Sequence, residues 1–279
     1  MKTIFVLASG RSGTGYLAHF FKSNVQNCYS THEPYFTPGN PVLFGEAIAW
    51  NTQEDDEKLL PLLRQKKAFV TNIRQAVYFE SNHAFLKACH RHAPILVDEP
   101  GFIHLVRDPR YVAKSEYMRE RLIQRLRLPF AYYKNAGERY FRWALTGKEA
   151  IFDFYRDMKI SRFQFYLLQW VEIEYRAMQL LRKHGWHNRV FFIEVEKDLK
   201  NQSTLDAMLH FFSLTSGRSE LKMNLHTNKT PLAGKTVLTD TDLAQCKQIT
   251  ARLPQQYLSM LKLPPYKNCR WINTLFSSG

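Results

Sequence analysis

The stretch Thr3-Ile4-Phe5-Val6-Leu7-Ala8-Ser9-Gly10-Arg11-Ser12-Gly13-Thr14-Gly15-Tyr16-Leu17 decides how this chain is read. Thr3 to Ala8 is a short apolar run, and beyond the turn Leu17, Phe20 and Phe21 fall on one helical face. The segment therefore predicts a buried strand, a turn and a helix. Three of the chain's twelve glycines, Gly10, Gly13 and Gly15, lie within six residues at that turn. Glycines let the backbone curl so that successive N–H groups point inward, and the following helix adds the positive end of its dipole. The expected product is an anion cradle, with Arg11 and the hydroxyls of Ser12 and Thr14 as further donors to phosphate-type oxygens.

The kind of phosphate ligand follows from what the turn lacks. Gly10 and Gly15 satisfy the glycine spacing of a Walker loop, but Tyr16 stands where its lysine belongs, which argues against a nucleoside triphosphatase or an ATP-dependent kinase. The G-x-x-G-x-G order also fails the dinucleotide fingerprint. Tyr155 and Lys159 have the spacing of a dehydrogenase pair, but no serine lies nearby upstream and both sit in a charged helical segment, so the pair reads as chance.

Outward from this turn the chain alternates. Asn27 to Thr31 reads as a second strand, followed by a loop in which three prolines and a glycine between Pro34 and Pro41 forbid regular structure. Ala68 to Thr71 and Val77 to Glu80 read as strands, and His83 to His92 as a helix. Phe102 to Val106 breaks at Arg107-Asp108-Pro109 and repeats the strand-turn-helix plan. Arg162 to Lys183 predicts a long amphipathic helix, Arg189 to Val195 a strand, and Leu205 to Phe212 a helix. One last helix is expected at about Asp240 to Leu261. The pattern predicts an α/β fold, a central mostly parallel sheet flanked by helices, as a single domain over residues 1–279.

With 279 residues, 45% of them hydrophobic and 14% aromatic, the chain has the composition of a globular protein, not of a disordered or collagen-like one. Its 39 Lys and Arg against 25 Asp and Glu leave a charge of +14, which points to an anionic partner. Cys28, Cys89, Cys246 and Cys269 form no CxxC pair and read as reduced thiols. No apolar run has the length of a signal core or a membrane span, so a soluble, cytoplasmic protein is expected.

The turn also resembles the first motif of the sulfotransferases that use 3′-phosphoadenosine 5′-phosphosulfate (PAPS). Their first strand ends in Arg or Lys, Ser, Gly and Thr or Ser, as in Arg11-Ser12-Gly13-Thr14. The family's second motif is a strand ending in Arg, then Asp or Asn with Pro, and a Ser eight residues after the Arg. Leu105-Val106-Arg107-Asp108-Pro109 through Ser115 fits it. The resemblance implies a nucleotide-kinase-like architecture and a soluble enzyme that moves a sulfuryl group from PAPS to a hydroxyl or amine, releasing adenosine 3′,5′-bisphosphate (PAP), with no metal. It places the 5′-phosphosulfate on Arg11, Ser12, Gly13, Thr14, Gly15 and Tyr16, and the 3′-phosphate on Arg107 and Ser115. Asn228 and Lys229 loosely match the family's C-terminal donor-binding loop. For the base, His32 and Glu33 are adjacent residues whose side chains would diverge, and the resemblance favours Glu33.

Arg110 to Arg142 carries nine Lys and Arg against three Glu, a net of +6 in 33 residues, with aromatic rings such as Tyr117, Phe130, Tyr132, Tyr133, Tyr140 and Phe141 interleaved. Such a face is a solvated helix with buried rings, a platform for an anionic small-molecule acceptor, or a nucleic-acid surface. Nucleic-acid binding is thus the alternative of a different class. Cys89, His90 and His92 with His83 suggest zinc only weakly, because His90 and His92 point to different helix faces. Asp98-Glu99-Pro100-Gly101 reads as a turn. Acceptor identity and oligomeric state have no signature in the sequence.

Overall fold

The computed structural model describes residues 1–34, 37–218, 220–223 and 236–276. The first strand, β1 (Lys2–Ala8), is buried at every residue after Lys2, as a strand covered on both faces must be. It leads through the glycine turn into α1 (Thr14–Asn24) and then β2 (Cys28–His32). Two helices, α2 (Glu46–Gln53) and α3 (Asp56–Thr71), precede β3 (Val77–Ser81). The short α4 (Phe85–Ala88) and α5 (Ala93–Leu96) lead to β4 (Gly101–Val106), and Asp108 caps the next helix, α6 (Pro109–Arg125), by accepting the Arg110 N–H. A hairpin of β5 (Tyr132–Asn135) and β6 (Glu138–Phe141) follows, then α7 (Ala150–Asp153) and α8 (Arg162–Lys183). The chain continues through β7 (Val190–Glu194), α9 (Val195–Asp198) and α10 (Gln202–Phe211) to α11 (Asp240–Thr250), α12 (Gln255–Leu261) and α13 (Ile272–Phe276).

The central sheet has five strands in the order β2-β3-β1-β4-β7, all parallel. Alternation along β1 sorts its side chains between two cores. Ile4, Val6 and Ala8 pack with α1 and α10, and Phe5 and Leu7 pack with the layer that contains α4, α6 and α8. The sheet is thus flanked by helices on both faces as a single α/β domain.

Three expected elements differ. Residues 68–71 are the last turn of α3, because Leu59, Leu63, Lys66 and Val70 are buried at helical spacing and the short apolar run simply completes that stripe. The expected helix from Asp240 to Leu261 is two, interrupted before Gln255 by Pro254, which lacks an N–H and has an extended backbone (ψ 148°). The stretch from His83 to His92 is not one helix but α4 followed by a 3₁₀ turn at His90–His92. The β5–β6 hairpin was not expected from sequence. Ala136 and Gly137, at φ +48° and +82°, form its two-residue turn, a geometry that glycine favours and alanine conceals.

Candidate functional site

Sheet order fixes where a ligand can enter. From β1 the chain leaves through α1 toward the β2 edge, and from β4 it leaves through α6 toward the β7 edge, so the connections part between two neighbouring strands. In parallel sheets the crevice at the carboxyl ends of such a pair is the usual ligand site. Here β1 is paired with β4 up to its last residue, Ala8 opposite Leu105, one residue short of the end of β4, so the turns at Gly10–Gly13 and Arg107–Asp108 emerge side by side.

The two turns are directly bonded. Arg107 Nη1 donates to the Arg11 carbonyl at 2.5 Å, and Arg11 Nε donates to Ser115 Oγ at 3.0 Å. The two motifs, about a hundred residues apart in sequence, are thus joined directly. Arg107 also donates through Nε to Glu196 Oε1 at 3.1 Å. Arg11 has φ +63°, a left-handed backbone that a non-glycine residue adopts at a cost of about 1 kcal/mol or more. Burial lowers its pKa, opposed by Glu116 and aided by Arg119 and Arg107.

The glycines of the first turn serve two different needs. A Cβ on Gly10 would stand 1.9 Å from Glu116 Oε1, so this residue permits the close approach of the turn to α6. Gly13 has φ +84° and precedes α1 without a side-chain cap, leaving the first N–H groups of that helix without intrahelical or capping acceptors. Ser12 is fully buried and its hydroxyl shares a 3.0 Å hydrogen bond with Ser9, tying the turn together instead of facing outward. Tyr16 is likewise turned inward, its hydroxyl donating to the Met223 carbonyl at 3.3 Å. Thr14 is buried at the start of α1.

At the end of β2, His32 and Glu33 converge instead of diverging: His32 Nε2 lies 3.8 Å from Glu33 Oε1. The reason is Glu33's φ of +42°, which ends the strand's side-to-side alternation. His32 Nδ1 is fixed on the Ser81 carbonyl at 2.9 Å. Glu33 Oε1 also lies 3.1 Å from Nε2 of His83, which sits just beyond the adjacent strand β3. Burial acts to raise the Glu33 carboxyl, but His83, His32 and Arg119 outweigh it and bring it down to about 2. The carboxylate is therefore ionised across the physiological range.

Four buried or half-buried groups, His83, Lys87, Glu116 and Arg119, complete this cluster; the sequence reading considered His83 only as a weak zinc candidate and counted Glu116 and Arg119 only among the charges of the 110–142 segment. Glu116 pairs with Arg119 at 2.7 Å one helical turn along α6, and Lys87 Nζ lies 3.2 Å from His83 Nδ1. The available signal was the i, i+3 acid–base pair directly after Ser115 and the His-x-x-x-Lys spacing after β3.

Asn228 and Lys229 lie outside the described residues. In the 110–142 segment, Arg110, Lys114 and Arg119 are ion-paired with Asp108, Asp242 and Glu116, whereas Arg121, Arg125, Arg127, Lys134 and Arg139 are exposed. Between the hairpin and helices α6 and α8 lies a cavity of about 610 Å³, lined among others by Arg127, Arg139, Arg162, Tyr132, Tyr140 and Phe141. Phe141, on the cavity wall, also carries the Arg119 guanidinium 5.5 Å from its ring centre. Among the described residues no three His, Cys, Asp or Glu side chains are grouped to hold a metal, and no helix is long and apolar enough to cross a membrane.

No protein-family model matches the chain, and no curated protein matches it in sequence. Among the solved structures similar to it are three sulfotransferases. A sulfotransferase from Alicyclobacillus acidocaldarius superposes with a TM-score of 0.50 at 12% identity, covering 100% of this chain and 97% of that one. The sulfotransferase domain of the Synechococcus PCC 7002 olefin synthase gives 0.49 at 14%, covering 94% of each chain. The sulfotransferase domain from the curacin biosynthetic pathway gives 0.49 at 13%, covering 94% of this chain and 96% of that one. At such identities the likeness to the Alicyclobacillus protein is one of fold.

Proposed function

We propose that the protein is a PAPS-dependent sulfotransferase acting on a hydroxyl or amine of a small, anionic acceptor. The observation that carries this reading is the bonding of Arg107 to the Arg11 carbonyl and of Arg11 to Ser115, which unites the two motifs. A donor with a phosphosulfate at one end and a phosphate at the other needs two anion sites within one nucleotide's length. Two strand-to-helix turns side by side, one ending in uncapped helix amides and both bearing arginine, fit that need.

In this reading the Gly10–Tyr16 backbone and Arg11 hold the phosphosulfate, and Arg107 with Ser115 holds the 3′-phosphate. By the resemblance, Asn228 and Lys229 are also assigned to donor binding. The acceptor oxygen forms its bond to sulfur as the bond from sulfur to the bridging 5′-phosphate oxygen breaks, in line. The electron pair leaves on that oxygen, giving PAP, and the acceptor's proton passes to the Glu33 carboxylate and then to solvent. Catalysis by positioning and charge stabilisation suffices for such a transfer, with Arg11 and the α1 amides facing the charge that develops on the leaving oxygen. His32, with Nδ1 held by Ser81, orders the Glu33 side chain from the other side. The cationic, ring-lined cavity beside the hairpin is the proposed acceptor region.

Incubation with labelled PAPS and a pooled metabolite extract tests the activity. Label should move to an acceptor with the native protein and not with Arg107→Ala; no transfer and no PAP binding would sink the proposal.

A further inference from the structure

Glu33 is the outer end of a line of polar groups that runs inward through His83 to Lys87 and passes beside the first turn, where a Cβ on Gly10 would stand 3.7 Å from His83 Nδ1. We infer that Lys87 and His83 are positioning residues for Glu33: the Lys87 ammonium fixes the proton of His83 on Nε2, and that N–H holds the Glu33 carboxylate ionised and oriented. The role assigned to Glu33 rests on the sulfotransferase reading above; the hydrogen-bond order does not.

The order follows from donor arithmetic. An ammonium has three donors and no acceptor. Lys87 Nζ donates to the Trp143 carbonyl at 2.5 Å and lies 3.2 Å from His83 Nδ1, which must then accept. A neutral imidazole whose Nδ1 accepts carries its one proton on Nε2. His83 Nε2 is buried and has no aligned hydrogen bond among the described residues, and Glu33 Oε1, 3.1 Å away, is the acceptor placed to take its proton. Such contacts are often off-line without substrate and tighten when the site is loaded. Lys87 is wholly buried and His83 is 3% exposed, so water does not compete for either bond.

Local structure places both residues. The Asn82 side chain accepts the Ala84 N–H at 2.9 Å and turns the chain from β3 into α4, which sets His83 and Lys87 one helical turn apart. The groups facing them come from every element around the site. Glu116 and Arg119 project from α6, Glu33 and His32 from the end of β2, Arg11 from the first turn and Glu149 from the cap of α7, while the Phe44 ring lies 5.1 Å from the imidazole. Burial and then Lys87 lower the His83 pKa despite Glu33 and Glu116, which keeps the ring neutral. Burial, with Arg119, lowers Lys87 to about 8 against the pull of Glu116 and Glu33, so the ammonium persists at neutral pH and is lost as pH rises through 8.

The decisive measurement is long-range ¹H–¹⁵N correlation on histidine-labelled, donor-free protein at pH 7. The expected result is His83 protonated on Nε2 and bare on Nδ1. A proton on Nδ1, or on both nitrogens, would overturn the inference. In Lys87→Met the expected result is a mixture of tautomers and a raised Glu33 carboxyl pKa by ¹³C titration. A folded variant with both unchanged would overturn the part given to Lys87, and the unsubstituted protein decides the question if the variant does not fold. Once an acceptor is known, the native transfer rate should decline above pH 8, and Lys87→Met should lower kcat about tenfold or more and lose that alkaline limb. PAP titration of the same samples separates the two claims, since the tautomer is read without donor.

Discussion

Arg107 already holds an anion. Its Nε donates to Glu196, whose pKa is raised by burial against the pull of Arg107, so the 3′-phosphate of the proposed donor would have to displace a carboxylate there. Glu196→Gln should therefore tighten PAP binding several-fold, and Arg107→Ala should weaken it about 10- to 100-fold, the worth of a charge-assisted hydrogen bond. Calorimetric titration reads both. Glu33→Gln should leave PAP affinity unchanged while transfer falls about a hundredfold or more. The same residue bears on acid stability. Its carboxyl titrates at about 2 instead of the ordinary 4.5, so its contribution is complete above 4.5 and lost as pH falls toward 2. Glu33→Gln should flatten that part of a pH series of thermal melts; an unchanged slope would count against the ionised cluster. Residue chemistry was partly legible in the sequence: the motifs singled out Arg11, Arg107 and Ser115, which the structure brings into contact. His83 and Lys87 were not, because their role comes from β3 lying beside β2, a neighbourhood that spacing alone does not carry.

At the scale of elements, the glycine turn is held by packing on both sides. A Cβ on Gly13 would meet Leu199 Cδ2 at 2.4 Å and impose a positive φ on an L side chain. Gly13→Ala should cost about 1–3 kcal/mol and lower the melting temperature, with PAP binding reduced at temperatures where the variant remains folded. Calorimetry measures the first and PAP titration the second. The long buried elements were easy to read from sequence because one periodicity runs through them, as in α8, whose bounds match the expected Arg162 to Lys183. The hairpin was not, since its cations and rings read equally well as an amphipathic helix until Ala136 and Gly137 are seen to turn the chain. It supplies Tyr132, Arg139, Tyr140 and Phe141 to the cavity. If that cavity takes the acceptor, Arg139→Ala should raise the acceptor's KM with little change in kcat and none in PAP affinity, as steady-state kinetics would show.

For the molecule as a whole, the charge of +14 is not concentrated at the junction of the two turns. Arg11, Arg107 and Arg119 surround the junction of the two turns, where Glu33, Glu116 and Glu196 balance them. Five further cations of the 110–142 segment remain on the surface, which is where a nucleic-acid reading would place its contacts. That reading predicts tight, steeply salt-dependent polynucleotide binding and indifference to PAP. The fold was predicted by the alternation of strands and helices, whereas the union of the motifs depends on strand order, which became visible only when β1 and β4 were found side by side. The most direct test of the donor site is titration of the purified protein with PAP and, separately, with ATP and magnesium. Saturable PAP binding that is lost in Arg107→Ala, with no response to ATP and magnesium, is the predicted result; no PAP binding, or stabilisation by ATP and magnesium alone, would contradict it.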